Sequence, residues 1–430
     1  DPDHAAQAAG GSNSSIRFVE QSVRLGIGFK HVSGINKEKH FPSANGSGVG
    51  ILDLDGDGLH DIYLLTACPL PVEVTGSSPR NSALRRRPDG TYEEISPMAK
   101  LNLAGFCQGV TAGDVNNDGF SDILIIALGG NYLLLNQGDG TFRDASLESG
   151  IVDRRWGASA AFLDYDEDGN LDYYVANYGL WSIDSNLFCG DQERNVRLFC
   201  RPTYITPDLH SLYRNSGDGT FEFATERAGI ARTDGRGQGV IATDLNADGH
   251  IDLYVANDIS PNFLFLGNGD GTFKDYTTLS GAAYDENGRS MASMGIDAED
   301  VDGDGLPELF TTNFALEFNN LYHNMGNGFF EDISASCGLG PESLPDVGWG
   351  TALADMDNDG LPDVVVVNGH VDDNLAEVGR AEPYRQKAKV WRNRGNLRFE
   401  QVSDRAGDYF ASAHVSRGAA FGDLDDDGRL

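Results

Sequence analysis

An aspartate-rich loop recurs seven times along the chain, and its spacing is suited to binding a cation. The loop reads D-x-[DN]-x-D-G-x-x-[DE], which places oxygen-bearing side chains at positions 1, 3, 5 and 9. Ca²⁺ takes six to eight oxygen ligands, and glycine at position 6 permits the sharp turn that lets the ligands converge. The copies begin at Asp53, Asp114, Asp164, Asp244, Asp300, Asp355 and Asp423.

These loops predict calcium ligands at positions 1, 3, 5 and 9, with the backbone carbonyl of position 7 as a further ligand. An EF-hand would place Glu at position 12 between two helices, which this pattern does not do. Clustered carboxylates repel one another unless a cation is present, so we expect several Ca²⁺ ions, up to seven, in a structural role. Weak binding, or Mg²⁺ in some loops, is the alternative. The predicted ligands are Asp53, Asp55, Asp57, Leu59, Asp61, Asp114, Asn116, Asp118, Phe120, Asp122, Asp164, Asp166, Asp168, Asn170, Asp172, Asp244, Asn246, Asp248, His250, Asp252, Asp300, Asp302, Asp304, Leu306, Glu308, Asp355, Asp357, Asp359, Leu361, Asp363, Asp423, Asp425, Asp427 and Arg429.

The segments around each loop predict β-strands. Short apolar stretches precede the loops, and β-rich stretches such as DILII and DVVVV follow them, so each loop is the turn of a hairpin. Most loops are followed by a second hairpin around a glycine-rich turn, as in LLLNQGDGTFRDAS (133–146). Each repeat therefore contains four antiparallel strands, a to d, which is the blade of a β-propeller.

Seven loops predict an all-β, seven-bladed propeller over residues 17–430, preceded by a flexible leader at 1–16. The segment RFVEQS (17–22) resembles strand d at 398–403, so we expect it to complete the last blade and close the ring. No b, c or d strand follows the loop at Asp423. The seventh blade is thus expected to be incomplete, with its C-terminal part and any following domain beyond Leu430.

The strongly acidic composition excludes some partners. A formal net charge of −34 disfavours binding to nucleic acid or anionic membranes, and no apolar stretch is long enough to span a bilayer. Such a charge is also found in disordered or halophilic chains. Disorder does not fit here, because 10% of the residues are aromatic and the acids recur at fixed spacing.

The loop together with the N-x-G-D-G-T-F hairpin resembles the FG-GAP or VCBS repeat family. More specific stretches, including HFPSANGSGVGILDLDGDG (40–58), VANDISPNFLFLGNGDGTF (255–273) and HVSRGAAFGDLDDDG (414–428), are similar to the cartilage acidic protein family over nearly the whole chain. That resemblance implies a secreted, calcium-binding, seven-bladed protein that acts as an interaction module without an established reaction. Bacterial members often end in an ASPIC/UnbV domain, which is absent from this sequence.

Two sets of side chains are predicted at the propeller face opposite the aspartate loops. One set is four asparagines in equivalent positions, which form either a polar ring around the channel mouth or ordinary strand ends. The other lies just before strand a and suits either ligand binding or packing between blades. The predicted ligand-binding residues are Asn177, Asn257, Asn313, Asn368, Trp156, Arg236, Gln238, Trp349, His414 and Arg417.

The long interval between the third and fourth loops contains an insertion at 178–211. Its Cys189 and Cys200 are spaced to close a protruding loop as a disulfide, with two free thiols as the alternative. A disulfide indicates an oxidising compartment, so we expect a secreted, extracellular, cell-surface or periplasmic protein. Pairing of Cys68 with Cys107 is left open, and Cys337 is expected to be a buried thiol.

A binding or adhesion module for a protein or glycan ligand is the function that these features favour. The alternative is a propeller enzyme, a polysaccharide lyase or hydrolase, with its site at the channel mouth. His370 with Asp372 and Asp373 is the nearest catalytic constellation, although a polar loop with one histidine is also typical of plain surface. No nucleophile elbow or HExxH motif is present, so no catalytic residue is assigned.

Overall fold

The computed structural model describes residues 16–151 and 153–430, which fold into six four-stranded antiparallel sheets. We call these sheets blades 1 to 6 and their strands a to d. Residues 1–15 of the predicted leader lie outside the described residues. In chain order the blades are β1–β4 (Val49–Leu52, Asp61–Leu64, Ser82–Arg86, Tyr92–Glu94), β5–β8 (Cys107–Gly113, Asp122–Ala127, Tyr132–Asn136, Phe142–Asp144), β9, β10, β13 and β14 (Gly157–Leu163, Asp172–Asn177, Ser211–Asn215, Phe221–Phe223), β15–β18 (Gly237–Thr243, Asp252–Asn257, Phe263–Gly267, Phe273–Asp275), β19–β22 (Ile296–Glu299, Glu308–Thr311, Asn320–Asn324, Phe330–Asp332) and β23–β26 (Gly348–Ala354, Asp363–Asn368, Lys389–Asn393, Phe399–Gln401).

The blades form a six-bladed β-propeller in which strand a is innermost. From blade 1 to blade 6, strand a of each blade contacts strand a of the following blade, and together these strands line a central channel. Strand b is buried along its length, as in β6 and β24, because both of its faces are covered, by neighbouring blades or, on one side of β24, by residues 409–421. This explains why strand b is apolar throughout and does not alternate between apolar and polar residues.

The core lies between adjacent blades. Leu124 and Ile126 of β6 pack with Tyr173 and Val175 of β10, and all four side chains are almost completely buried. Similar clusters join the other successive blades. Each blade therefore buries its apolar surface against its neighbours, which is the stabilisation expected of a repeat fold.

The seven-bladed propeller predicted from the sequence is wrong, because the described residues form six four-stranded blades. The loop at Asp423 is present, but residues 415–423 form no strand, and neither do residues 16–21, where the closing strand was predicted. A strand needs a hydrogen-bonded partner, and no segment described within residues 1–430 supplies strands b and c for that loop. Both segments instead contact neighbouring blades irregularly: Gly350 N–H donates to Arg417 O, and Phe18 N–H donates to Ala406 O, each at 2.8 Å.

Short helices and one small hairpin complete the structure. The α-helices are α1 (Ser22–Leu25), α2 (Ser96–Ala99), α3 (Ser334–Cys337), α4 (Gly340–Ser343) and α5 (Asp408–Ala411), and 3₁₀ turns occur at Phe41–Ala44, Ile183–Ser185, Pro202–Tyr204, Leu375–Val378 and Ser403–Arg405. The two-stranded sheet β11–β12 (Cys189–Asp191, Val196–Leu198) lies in the predicted insertion. Across residues 16–151 and 153–430, none of the helices has the length and apolar content needed to traverse a lipid bilayer.

The cysteines are arranged largely as the sequence predicts. Cys189 and Cys200 form a disulfide that joins the start of β11 to the residue two beyond β12. Cys68 and Cys107 are free thiols, both buried. Cys337 is a buried thiol as predicted, at the end of α3.

Candidate metal loops and a cavity on the opposite face

The aspartate loops join strand a to strand b in each blade, and their first aspartate organises the turn. In the third loop Asp164 accepts hydrogen bonds from the N–H groups of Asp168, at 3.1 Å, and Gly169, at 2.9 Å. Gly169 has a φ of +85°, which glycine adopts without strain. The same two bonds recur from Asp53, Asp114, Asp244, Asp300, Asp355 and Asp423.

The acid at position 9 is completely buried and joins three segments of a blade. Asp172 accepts from Tyr165 N–H at 3.1 Å and from Asn215 N–H at 2.7 Å, so it ties the loop to the ends of strands b and c. Burial raises its pKa to about 7. Equivalent acids with the same two bonds are Asp61, Asp122, Asp252, Glu308 and Asp363.

The loop residues fit a hard divalent cation. In at least four loops three acids have oxygens within 4.8 Å of one another, and the acids at positions 1 and 3 contribute in each of these four. Asp55 Oδ1 and Asp166 Oδ1, both at position 3, are buried and have no hydrogen-bond partner among the described residues. A buried carboxylate oxygen without a partner is costly unless a cation contacts it. The four groups are Asp53–Asp55–Asp57, Asp164–Asp166–Asp172, Asp300–Asp302–Asp304 and Asp355–Asp357–Asp359.

A basic side chain on strand c contacts the loop in four blades. In blade 3 Arg214 pairs with Asp166 and, at 2.5 Å, with Asp168. Arg392 makes the matching pair of contacts in blade 6, and Arg85 contacts Asp55 at 3.3 Å in blade 1. In blade 5 the position is His323, whose Nδ1 lies 3.0 Å from Glu308 and 3.8 Å from Asp302. These pairs were not predicted from the sequence.

An asparagine at the end of strand c fastens neighbouring blades to one another. Asn215 Nδ2–H donates to Val115 O of blade 2 at 2.7 Å and to Leu171 O of its own loop at 3.0 Å, while its Oδ1 accepts from Gly217 N–H at 3.0 Å. Asn136, Asn324 and Asn393 make the same three contacts. The recurring N-x-G of the second hairpin was the signal for this role, which sequence reasoning missed.

The four asparagines predicted at the channel mouth are buried at the end of strand b. Each donates its side-chain N–H to a backbone carbonyl between strands b and c. The acceptors are Leu209 O for Asn177, Pro261 O for Asn257, Phe318 O for Asn313 and Lys387 O for Asn368. These side chains therefore stabilise the connection between strands b and c of their own blades.

A cavity of about 820 Å³ opens on the face opposite the aspartate loops. Strand b begins at the loop and ends at this face, so the residues just after it, among them Asp258, Phe314 and His370, line the cavity. The lining also includes Gln238 and Trp349, two of the predicted ligand-binding residues. The walls are largely apolar, with a few polar groups, which is the usual composition of a ligand pocket.

The insertion and the loop after β24 together build one side of this cavity. Phe199, Cys200 and Pro202 line it from the insertion, while Asp372 and Arg380 line it from residues 370–383. The two loops are hydrogen-bonded, because Phe199 N–H donates to Asp372 Oδ1 at 2.9 Å. Asn374 Nδ2–H also donates to Arg197 O, at 3.0 Å. The disulfide therefore lies in the wall of the cavity.

Lys39 strengthens this junction from the N-terminal side. Its ammonium group lies 2.5 Å from Asp373 Oδ1 and 4.0 Å from Asp372 Oδ1, and it stands over the Phe199 ring at 5.2 Å. Burial raises the pKa of Asp372, and the charge of Lys39 opposes that rise. The acids of the predicted His370–Asp372–Asp373 constellation are thus engaged in holding the two loops together.

Two buried polar atoms of the cavity residues have no hydrogen-bond partner among the described residues: Asp258 Oδ1 and His370 Nε2. Tyr178 O–H donates to the other oxygen of Asp258 at 2.6 Å, and burial raises the pKa of Asp258 to about 7. His370 Nδ1 accepts from Asp372 N–H at 3.0 Å, which places the proton of the neutral ring on Nε2. Burial lowers the pKa of His370 to about 4, so the ring is neutral near pH 7.

The remaining predicted ligand-binding residues have internal partners. Trp156 is buried against Phe41 and Tyr178, and its indole N–H contacts Gln108 Oε1. Arg236 donates to Ile205 O of the insertion at 2.8 Å. His414 stacks on Tyr409 with ring centroids 4.3 Å apart.

Arg417 lies at the channel rather than in the cavity lining. Its guanidinium stands 4.2 Å from the Trp349 ring and donates to the backbone carbonyls of Ala44, Gly369 and His370. Burial lowers its pKa to about 10. These contacts attach the irregular segment after residue 414 to the cavity wall.

The repeated aspartate loops and paired hairpins match a known repeat. A model of the FG-GAP-like repeat matches residues 53–125, 114–175, 204–255, 244–311 and 300–366, which together make up more than half of the chain. The chain belongs to the FG-GAP-like repeat family. Each matched interval ends in a strand b, directly after an aspartate loop, so the matched repeat spans parts of two successive blades.

Two relatives of this chain are cartilage acidic protein 1 from Xenopus tropicalis and from Homo sapiens. Each is 26% identical to it over 76% of this chain. The alignments cover 58% and 47% of the relatives' own lengths, so the chain spans about half of each. The resemblance predicted from the sequence is therefore confirmed as a distant relationship.

Among solved structures, a lectin from Agrocybe aegerita, described as recognising non-reducing terminal N-acetylglucosamine, aligns with 85% of this chain and 82% of its own. The sequence identity is 16% and the TM-score is 0.48. At that similarity the alignment bears on neither the site nor its ligand.

Proposed function

We propose that the protein is a calcium-stabilised binding module whose ligand occupies the cavity opposite the aspartate loops. The observation that carries the proposal is a pair of buried polar atoms without a hydrogen-bond partner among the described residues, on two residues that line a largely apolar cavity of about 820 Å³. A buried donor or acceptor without a partner destabilises the free protein, and a ligand that satisfies both atoms gains that free energy on binding.

The chemistry of the two atoms favours a glycan over a charged ligand. His370 Nε2–H offers a hydrogen bond, and Asp258 Oδ1 accepts one, so the ligand needs both an acceptor and a donor. Sugar hydroxyl groups provide both at once, and the apolar face of a sugar ring packs against aromatic side chains such as Phe314 and Trp349. A protein ligand that inserts a polar side chain is the alternative occupant.

In this proposal the aspartate loops hold Ca²⁺, which contributes charge to a turn whose carboxylates otherwise repel one another. The loop residues would supply the oxygens, and the cation would stay remote from the ligand, at the other end of strand b. The disulfide supports an oxidising compartment, so we place the protein outside the cytoplasm, as a secreted or cell-surface module.

A glycan array followed by isothermal titration calorimetry tests the binding role. Asp258→Asn changes the acceptor with little change in shape, and His370→Phe removes the donor, so each should weaken binding of an array hit at least about tenfold. Asp218→Asn is the matched control, because Asp218 is an exposed hairpin residue on the aspartate-loop side. Equal affinity in all four proteins would exclude the cavity as the ligand site.

An enzyme acting on a polysaccharide is a second candidate, supported by one observation. Asp258, with a pKa raised to about 7, is coupled electrostatically to Glu317, whose pKa is also raised by burial, and both line the cavity. Two neighbouring carboxyl groups whose pKa values are both raised by burial suit general acid and base roles. Incubation of an array hit with the protein, followed by mass spectrometry of the products, separates the two functions, since a binding module leaves the glycan intact.

A further inference from the structure

The aspartate loops differ at position 3, and the strand c residue that faces the loop differs with it. Three loops pair an aspartate at position 3 with an arginine, one pairs it with a histidine, and two have asparagine at position 3 and leucine on strand c. The pairs are Asp55 with Arg85, Asp166 with Arg214, Asp357 with Arg392, Asp302 with His323, Asn116 with Leu135, and Asn246 with Leu266.

In five of the six blades, all except blade 5, this exchange keeps the formal charge at loop positions 1, 3, 5 and 9 plus the strand c residue constant. In blades 1, 3 and 6 the loop has four carboxylates at positions 1, 3, 5 and 9, and the arginine offsets one of them. In blades 2 and 4 the loop has three carboxylates and no basic partner at that place on strand c. Counted over these four positions and the strand c residue, both kinds of loop therefore have the same formal charge of three negative units.

We propose that Arg85, Arg214 and Arg392 set the calcium affinity of their loops by offsetting the fourth carboxylate, so that both kinds of loop bind calcium about equally. The inference rests on calcium occupancy of the loops, which is part of the proposed function. It concerns residues on strand c, outside the loop motif itself.

The contacts show how one carboxylate serves both the arginine and a cation. In blades 1 and 3 the arginine contacts Oδ2 of the position 3 aspartate, while Oδ1 of the same group is buried and has no hydrogen-bond partner among the described residues. The arginine thus neutralises part of the carboxylate charge and leaves one oxygen for a ligand. The guanidinium also opposes an approaching cation, because the two positive charges lie on opposite sides of one carboxylate.

Replacing the strand c arginine with leucine should change both the stability of the metal-free loop and its affinity for calcium. Arg214→Leu leaves four carboxylates without an offset, so the metal-free loop becomes less stable while its affinity for Ca²⁺ rises, by about tenfold or more. Asp166→Asn alone leaves the arginine facing a loop with three acids, which should weaken calcium binding by a similar factor. The double variant recreates the pair found in blade 2, Asn116 with Leu135, and should bind calcium within about threefold of the wild type.

The third loop can be observed separately from the others. Its position 2 residue is Tyr165, whereas no other loop has an aromatic residue at that position, so Tyr165 can sensitise the luminescence of Tb³⁺ bound in this loop. The difference between the protein and its Tyr165→Phe variant gives the signal of the third loop, and competition with Ca²⁺ gives its calcium affinity. In parallel, thermal unfolding in the presence of a chelator measures the melting temperature of the metal-free protein.

Blade 2 allows the reverse experiment. Leu135→Arg introduces a guanidinium facing a three-acid loop and should weaken calcium binding there, while Leu135→Arg with Asn116→Asp should restore it. Arg394→Leu is the control for loss of a surface arginine, because Arg394 pairs with Glu400 on a hairpin of blade 6. It should leave both calcium affinity and melting temperature unchanged.

Three results decide the proposal. Tighter calcium binding by Arg214→Leu, a lower melting temperature of that variant in chelator, and recovery of both by the double variant would support it. Unchanged or weaker calcium binding by Arg214→Leu would overturn it, as would a double variant less stable in chelator than either single variant. If the wild-type loop binds neither Tb³⁺ nor Ca²⁺, the calcium part of the proposed function fails along with the inference. Either of the two overturning results with the Arg214→Leu and double variants would refute the inference alone and leave the proposed function intact.

Discussion

The asparagine contact between blades leads to a prediction that can be worked out in free energy. Asn215→Ala removes two donated hydrogen bonds, to Val115 O and Leu171 O, and one accepted bond from Gly217 N–H. Asn215 is completely buried, so the carbonyl of Val115 loses its partner at an interface closed to water. Hydrogen bonds contribute about 1 kcal/mol each on balance, and a buried group left unpaired costs about 1–3 kcal/mol, so we expect a loss of about 2–4 kcal/mol in the free energy of unfolding.

Urea denaturation followed by circular dichroism, with calcium present throughout, measures this loss. Asn268→Ala is the control, because Asn268 is exposed and its side chain bonds only within its own hairpin, to Thr272; it should change the free energy by less than about 0.5 kcal/mol. Asn215→Asp can still accept from Gly217 but cannot donate to Val115, and it should lose nearly as much as the alanine variant. Equal stability of Asn215→Ala and Asn268→Ala would refute the role of this contact.

Two further predictions concern the opposite ends of strand b. Metal-stripped protein should have a higher melting temperature at pH 5 than at pH 7.5. Burial raises the pKa of Asp61 and Asp122 to about 6 and of Asp172 to about 7, whereas the pKa in the unfolded chain is near 4, so ionisation of these acids as the pH rises opposes folding. Saturating calcium should remove the difference between the two melting temperatures, and an unchanged difference would count against calcium at these acids. Cys200→Ser should weaken binding of a glycan identified on the array several-fold, because the disulfide lies in the wall of the cavity. The melting temperature should shift by only a few degrees, because the disulfide lies outside the six blades. Full affinity in this variant would show that the insertion does not contribute to the site.

Local spacing was sufficient to predict the hairpins, but it could not give the number of blades. The sequence D-x-[DN]-x-D-G specifies a turn through its own side chain, since Asp164 binds the amides four and five residues later. A blade also needs strands that arrive from elsewhere. The loop at Asp423 makes the same turn without a four-stranded sheet around it, so counting loops gave seven blades where the structure has six.

Local spacing was also insufficient to predict the contacts of the candidate site. Trp156 lies at the start of a strand that faces the channel mouth, but Phe41 and Tyr178 cover its side chain. No short-range sequence pattern predicts these two contacts. Asp258 was missed because its partner, Tyr178, lies 80 residues away in the chain. Trp349 and Gln238 line the cavity because they lie at the start of strand a, and their role in ligand binding stays a prediction.

The central claim is that the aspartate loops are calcium sites, and native mass spectrometry tests it most directly. The protein purified in the presence of calcium, then exchanged into a volatile buffer, should carry several Ca²⁺ ions, up to seven, and lose them together with thermal stability after treatment with a chelator. A mass equal to that of the bare chain, with a melting temperature that chelation does not change, would contradict the account.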